Sequence, residues 1–370
     1  MTCRWPQCGG WKRPTYTHLL ATLHPREGEE FTLSKRFINE ALETLKRAFD
    51  RLERPSSKLE EYARKLRMSV KYIARFVELM DGENEVIELL NTTEDKILKT
   101  IRVNTLKINK WKLMKLLEEK GFTLKPISYV PYALAVIKSP MSIGATHEYL
   151  LGYYIVQSLA SMFAPLALYP YKGPILDACA GAGAKTTQIA QHNPNELIVA
   201  VDISKRKLLG LKNHVSRLGI PNVVAIRYDV RYIPRLNMKF QTALVDAPCT
   251  GEGLIVLPKG RKMQRDLRGL LDRVKLQLEI LASVVESVID SGIIVYSTCS
   301  TAVEENEYVV SIVAQEYGLR IDKINIDIPA RKGIIDYLGL PILDEASNCI
   351  RLYPHIHRTE GFTICRLVKK

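Results

Sequence analysis

Apolar residues recur at three- and four-residue steps between Ser34 and Arg54: Phe37, Ile38, Ala41, Leu42, Leu45, Ala48, Phe49 and Leu52. That spacing places one apolar stripe along a helix. Ser34 stands where an N-cap is needed, and Pro55 with Ser56 and Ser57 ends the run. The same period returns over 59–66 and again over 70–80, the latter capped by Ser69 and stopped by Asp81-Gly82, and 85–91 adds a short helical turn. We expect an N-terminal helical domain over 31–95 that carries no chemistry of its own. Ahead of it, Trp5, Pro6, Gly9, Gly10, Pro14, Pro25 and Gly28 break any periodicity, so 1–30 reads as an irregular tail.

The period changes after residue 96. Segments 97–108, 122–130 and 133–138 read as strands, with a helix over 110–120 closed by Gly121, which predicts a small α+β module over 96–145. Its lysines, Lys107, Lys110, Lys112, Lys115, Lys120 and Lys125, suit a phosphate backbone. From about Tyr171 the pattern changes again. Short, nearly all-apolar runs at 175–177, 197–202, 223–228, 242–246 and 292–297 alternate with helix-length segments at 204–218, 265–290 and 304–316. Strands apolar on both faces and separated by helices predict an α/β domain with a doubly wound parallel sheet over 146–370. Such sheets bind ligands at the carboxyl ends of their strands.

Composition narrows the class. With 370 residues, 46% hydrophobic and 25% charged, the chain is neither disordered, collagenous nor membrane-spanning. No run approaches the roughly 18 apolar residues of a spanning helix, and residues 1–10 lack a signal-peptide core, so a soluble, cytoplasmic protein is expected. The 53 Lys and Arg outnumber the 40 Asp and Glu for a net charge of +13, which points to nucleic acid as the partner. Seven cysteines form no disulfide framework and are expected as core residues, ligands or catalysts. Cys3 and Cys8, followed by His18 and His24, depart from the C-x2-C spacing of zinc sites, so no metal is expected.

The strand ends carry the chemistry. The first runs into Asp177-Ala-Cys179-Ala180-Gly181-Ala182-Gly183-Ala184-Lys185-Thr, whose small residues let the backbone pass close to a ligand. It is neither G-x-G-x-x-G nor a P-loop. The next two end in Asp202, suited to ribose hydroxyls, and Asp229, suited to an adenine edge. Together they suit a nucleoside held without a phosphate, which S-adenosylmethionine satisfies and NAD satisfies poorly. The fourth strand ends in Asp246-Ala-Pro248-Cys249-Thr-Gly-Glu-Gly253, the fifth in Tyr296-Ser-Thr298-Cys299-Ser300. Neighbouring strands of this kind would bring two cysteines and an aspartate together beside the cofactor, an arrangement for nucleophilic catalysis. Directly downstream, Lys259, Arg261, Lys262, Arg265, Arg268, Arg273 and Lys275 oppose only Asp266 and Asp272 and suit RNA phosphates.

These motifs, with Ile101-Arg-Val-Asn-Thr-Leu-Lys107, the block 144–165 and the C-terminal Leu352-Tyr-Pro-His355 and Glu360-Gly-Phe-Thr-Ile, resemble the RNA cytosine-5 methyltransferases of the Nop2/Sun family, in particular archaeal-type enzymes acting on tRNA. The resemblance runs from about residue 58 to the C-terminus. It implies a Rossmann-like sheet of the class I S-adenosylmethionine-dependent methyltransferases with an RRM-like module. It implies Cys299 as the nucleophile toward cytosine C6, Cys249 as the residue that assists product release, and Asp246 and Lys185 at the base. S-adenosyl-L-methionine would contact Cys179, Ala180, Gly181, Ala182, Gly183, Ala184, Lys185, Asp202, Lys207, Asp229 and Asp246. The loop departs from the family's usual A-P-G-G-K, and Lys207 stands where relatives often carry arginine. DNA-directed relatives use the cysteine after proline and lack the second, so the Thr298-Cys299 pair favours RNA over DNA. Only 36 residues separate Lys107 from Gly144, too few for the inserted PUA domain of one branch. The expected substrate is tRNA, with rRNA as the alternative and a catalytically silent RNA-binding factor as the reading of another class. A monomer is expected, with Cys349 and Cys365 as unpaired core residues.

Overall fold

The computed structural model describes residues 20–22 and 33–370; Cys3, Cys8, His18 and His24 lie outside the described residues. Residues Leu20–Thr22 (β1) form a strand at one sheet edge within the segment expected to be irregular. Four helices follow: Lys35–Phe49 (α1), Ser57–Lys65 (α2), Val70–Leu79 (α3) and Glu83–Asn91 (α4). Ser34, Ser56 and Ser69 cap the first three, each hydroxyl accepting from the amide three residues on. Their apolar faces do not close on one another alone. Leu45, Phe49, Tyr72 and Phe76 belong to one continuous apolar cluster with the large sheet's helices.

The small module has a βαββαβ order: Thr100–Val103 (β2), Lys110–Glu118 (α5), Thr123–Pro126 (β3), Ala133–Lys138 (β4), His147–Leu150 (α6) and Tyr154–Val156 (β5). Its antiparallel sheet runs β3-β4-β2-β5, the RRM-like arrangement. The fourth strand lies beyond residue 145, so the module reaches further than the sequence pattern indicated. The long apolar run 97–108 yields only four strand residues, because Asn104 turns the chain: its side-chain amide donates to the carbonyls of Gly152 and Leu218.

The large sheet contains Ile175–Asp177 (β6), Ile198–Asp202 (β7), Val223–Arg227 (β8), Phe240–Asp246 (β9), Val288–Thr298 (β10), Arg320–Asp322 (β11), Arg331–Lys332 (β12), Ile350–Leu352 (β13) and Phe362–Val368 (β14). The order is β1-β8-β7-β6-β9-β10-β14-β13-β12, parallel through β10 and antiparallel beyond it, with β11 also on β14. The connecting helices are Leu159–Ala167 (α7), Ala184–His192 (α8), Lys205–Leu218 (α9), Pro258–Arg261 (α10), Leu267–Ser287 (α11), Glu307–Tyr317 (α12) and Pro354–His357 (α13). Order reverses between β6 and β9, and the crevice at that switch point faces the ends of both. Among the described residues no helix is long and apolar enough to cross a membrane.

Cys349 and Cys365 are joined in a buried disulfide that staples β13 to β14, which corrects their reading as unpaired core residues. Sixteen positions separate them in sequence, too irregularly placed to suggest a pair before the hairpin brings them opposite. A loop of this length restrains the unfolded chain by about 3 kcal/mol. The double variant Cys349→Ser/Cys365→Ser is therefore expected to unfold at lower denaturant than the wild type under non-reducing conditions. An unchanged midpoint would show that the crosslink adds nothing.

Candidate active site

At the cofactor end, β6 stops at Asp177 and the chain turns through 178–183 into α8. Gly181 (φ 58°) and Gly183 (φ 88°) both take the left-handed conformation. A Cβ on Gly183 would lie 2.8 Å from Leu211 Cγ, so this glycine lets the turn pack against α9; a Cβ on Gly181 would meet only Cys179 O, at 4.0 Å, so that glycine answers to conformation. Asp202, at the end of β7, accepts from the amides of Gly181 (2.9 Å) and Ser204 (2.8 Å), which fixes its carboxylate across the turn. The exposed Lys207 ammonium stands 3.9 Å from the same carboxylate. Ala180 is pinned by its amide to Val201 O at 2.9 Å, while Ala182 is exposed at the tip. Burial pushes the Cys179 thiol well up, so it stands in the turn as a neutral group. Asp229 lies two residues beyond the end of β8, where it caps the helical turn over Val230–Leu236, and both its oxygens are engaged by Arg231, which also reaches Glu279 at 2.8 Å.

Beneath the turn, Asp177 is buried. Its Oδ2 accepts from Thr186 Oγ1 at 2.6 Å, while Oδ1 has no partner. An unpaired buried carboxyl oxygen, a turn of small residues and a fixed carboxylate on the next strand fit a nucleoside with a polar amino-acid tail. Burial raises the Asp177 pKa to about 7, against the Thr186 hydrogen bond. With the folded value above the ordinary 3.8, this group favours folding below that pH, and the contribution is lost as pH rises toward 7. Asp177→Asn is thus expected to gain stability relative to wild type between pH 4 and pH 8. A pH-independent difference in unfolding midpoint would refute this.

At the reacting end, β9 and β10 pair in parallel with Ser297 in register with Asp246. That register brings Cys249 and Cys299, 50 residues apart, to a sulfur–sulfur distance of 3.3 Å. Lys185, on the first turn of α8, donates to Asp246 Oδ2 at 2.7 Å, and Ser297 Oγ donates to Oδ1 at 3.0 Å. The Lys185 ammonium also lies 5.2 Å from the centre of the Phe362 ring. Burial works against the Lys185 charge, but the charge and hydrogen bond of Asp246 outweigh it and hold the group protonated. The hydrogen bond with Cys299, then burial, pushes the Cys249 thiol well above its usual value.

Several residues that shape the site gave no sign of it in sequence. Glu305 is buried and accepts from the Thr250 amide (2.8 Å), the Thr250 hydroxyl (2.6 Å) and Gln277 Nε2 (3.0 Å), while Gln277 also holds the Pro248 carbonyl. These bonds fix the turn that bears Cys249. Arg75, on α3, donates to Glu304 at 2.6 Å twice and to Glu252 at 3.1 Å. The helical segment therefore grips both cysteine loops, contrary to its reading as a domain without a part in the chemistry. Glu305 and Glu252 lie within or beside motifs already visible. Arg75 sits 177 residues from Glu252, on a helix whose pattern spoke only of packing.

Some expected phosphate contacts are spent elsewhere. Lys107 donates to the carbonyls of Leu151 (2.9 Å) and Arg217 (2.8 Å), and Lys120 pairs with Glu148. Arg265 is buried and holds the carbonyls of Gly260 and Gly251; Arg261 bonds those of Leu90 and Thr92. A carbonyl within reach occupies a cation's N–H donors much as a phosphate oxygen would, and the charge pattern alone cannot tell them apart. Lys112, Lys115, Lys125, Lys259, Lys262, Arg268, Arg273 and Lys275 remain exposed. Among the described residues no cluster of three or more His, Cys, Asp or Glu could hold a metal.

Residues 166–368 match the family described as 16S rRNA methyltransferase RsmB/F. A 28S rRNA (cytosine-C(5))-methyltransferase of Mus musculus is 34% identical over 77% of this chain and 37% of its own length. The chain spans between about a third and a half of four such rRNA-named relatives. A tRNA (cytosine(49)-C(5))-methyltransferase of Pyrococcus abyssi is 32% identical over 82% of this chain and 97% of its own length. The crystal structure of a methyltransferase homolog protein from Pyrococcus horikoshii covers 85% of this chain and 100% of its own, at 30% identity and a TM-score of 0.75. With its paired cysteines at adjacent strand ends and these relatives on both sides of the tRNA–rRNA divide, the chain belongs to the RsmB/F (Nop2/Sun) family of RNA cytosine-C5 methyltransferases.

Proposed function

We propose that this protein methylates C5 of cytosine in RNA, with tRNA as the substrate. The observation that carries the chemistry is the pair of sulfurs 3.3 Å apart beside the Lys185–Asp246 ion pair. Cytosine C5 is a poor nucleophile until a thiolate adds at C6, which pushes the electron pair of the C5–C6 bond toward C5. Cys299 supplies that thiolate. Asp246 holds the N3/N4 edge of the base, and Lys185, donating to its Oδ2 at 2.7 Å, orients the carboxylate. The 179–185 turn and Asp202 would hold S-adenosylmethionine, which when bound would supply the methyl group to C5 and be left as the thioether S-adenosylhomocysteine. The C5 proton then leaves, the Cys299–C6 bond breaks, and the electron pair re-forms the ring double bond. Cys249, kept as a thiol by its neighbour and its burial, gives its proton to the departing Cys299 sulfur 3.3 Å away and takes the C5 proton in its place, and so promotes release.

The tRNA reading draws on the archaeal relative matched across nearly its whole length. The rRNA reading draws on the family description and on the rRNA-named relatives. Methyl transfer from labelled S-adenosylmethionine to unmodified tRNA and, separately, to protein-free rRNA distinguishes them. Label appearing as 5-methylcytosine in tRNA is the expected result; label in rRNA alone moves the substrate and keeps the chemistry, and none in either removes the enzymatic reading. We further propose a cytoplasmic monomer.

A further inference from the structure

A cleft of about 490 Å³ opens between α4 and α13, with Glu88, Asn91, Thr92, Lys96, His355 and Arg358 on its walls. Its volume falls in the range of small-ligand pockets and accommodates a nucleotide. Two stretches of chain tie this cleft to the reacting end. Arg261, on the stretch leaving the Cys249 turn, donates to the carbonyls of Thr92 (2.8 Å) and Leu90 (3.3 Å) and fixes one wall. Arg358 closes α13 in the left-handed conformation (φ 55°), which is costly for a residue other than glycine, and its carbonyl accepts from the Leu98 amide at 2.8 Å. Four positions on lies Phe362, whose ring lies beneath Lys185. Four residues of chain reach at most about 14 Å, the length of about four stacked nucleotides at ~3.4 Å each.

The wall chemistry is mixed in a particular way. Lys96 and Arg358 are exposed cations. The nearby Glu85 is already paired with Arg331 (2.7 Å) and His355 (3.0 Å), so it does not cancel them. Asn91 Oδ1 accepts from Tyr62, which leaves its amide N–H groups to donate, and Glu88 adds an exposed acceptor. A simple anion would use the cations and be repelled by Glu88. A nucleotide uses both, its phosphate on the cations and its base edge on the amide and carboxylate.

We infer that this cleft binds one nucleotide of the substrate RNA a few positions from the cytosine at Cys299, with Lys96 and Arg358 on phosphate and Asn91 and Glu88 on the base. The inference rests on the RNA reading above. The test uses the full chain, a fluorescein-labelled 12-nucleotide single-stranded RNA of mixed sequence for binding, and tRNA transcript for methyl transfer. Lys96→Ala/Arg358→Ala is expected to weaken oligomer binding about tenfold at 0.1 M salt and to flatten the dependence of log K on log salt by about 1.4, the worth of two phosphate contacts. KM for tRNA should rise comparably with kcat within about twofold, while Lys323→Ala, an exposed site elsewhere, changes neither. Unchanged affinity and slope in the double variant overturn the inference, as does AMP binding that the double variant loses while oligomer binding stays intact. A wild type that binds the oligomer in this cleft yet transfers no methyl group to any RNA sinks the proposed function and leaves the cleft assignment standing.

Discussion

Cys299→Ala is expected to lose methyl transfer by roughly 10⁴-fold or more, the scale of removing a covalent nucleophile, and Cys249→Ala to accumulate a protein–RNA adduct that survives denaturation. The two outcomes differ because the sulfurs, though 3.3 Å apart, sit in unequal surroundings. Cys299 follows directly on Thr298, the last residue of β10, one residue beyond Ser297, which donates to the carboxylate that would hold the base. Cys249 rides on a turn braced by Glu305 and Gln277 and retains its proton. Without Cys299 no adduct forms. Without Cys249 the adduct forms and takes the methyl group, but the step that frees the C5 proton and breaks the Cys299–C6 bond lacks its proton carrier. Denaturing gel electrophoresis with labelled RNA reads both. If Cys299→Ala traps RNA and Cys249→Ala does not, the roles are exchanged, as in DNA-directed enzymes.

Arg75→Met is expected to cost about 3–5 kcal/mol of stability, a large part of what a domain of this kind holds in reserve. The Arg75 side chain is 2% exposed and its partners Glu252 and Glu304 are fully buried, with Tyr72, Thr301 and Tyr337 hydroxyls completing their hydrogen bonds. Removing the guanidinium leaves two buried carboxylates facing each other's field. Burial alone would raise the Glu252 pKa, and Arg75 with the two hydroxyls brings it below the usual value. Its folded pKa being depressed, Glu252 stabilises above about pH 4.5 and the contribution is lost as pH falls through the folded value. Chemical denaturation at pH 7 measures the loss. The triple variant Arg75→Met/Glu252→Gln/Glu304→Gln should recover most of it, since no unpaired charge then remains. Wild-type stability in Arg75→Met would mean that the clamp is held by packing alone. Because Glu252 and Glu304 lie in the two cysteine loops, the single variant should also lose activity at temperatures where it is still folded.

What could be read before any coordinates was whatever repeats locally or lies at a strand end. Ser34, Ser56 and Ser69 act as caps, the all-apolar runs at 175–177 and 198–202 are central strands, and Asp202, Asp246, Cys249 and Cys299 stand at the carboxyl ends of their strands. Periodicity, capping and turn chemistry act over a few residues, so a few residues suffice to show them. Long-range pairing leaves no such mark. The Cys349–Cys365 bridge depends on the register of two antiparallel strands. The diversion of Lys107, Arg261 and Arg265 from phosphate to backbone carbonyls depends on which loop passes within 3 Å. Arg75 is the clearest case: an arginine on an amphipathic helix reads as surface, and only the docking of that helix against both cysteine loops turns it into a buried counter-charge. Desolvation sets the strength of the buried ion pairs among these, and desolvation is a property of the assembled fold, not of any segment of the chain.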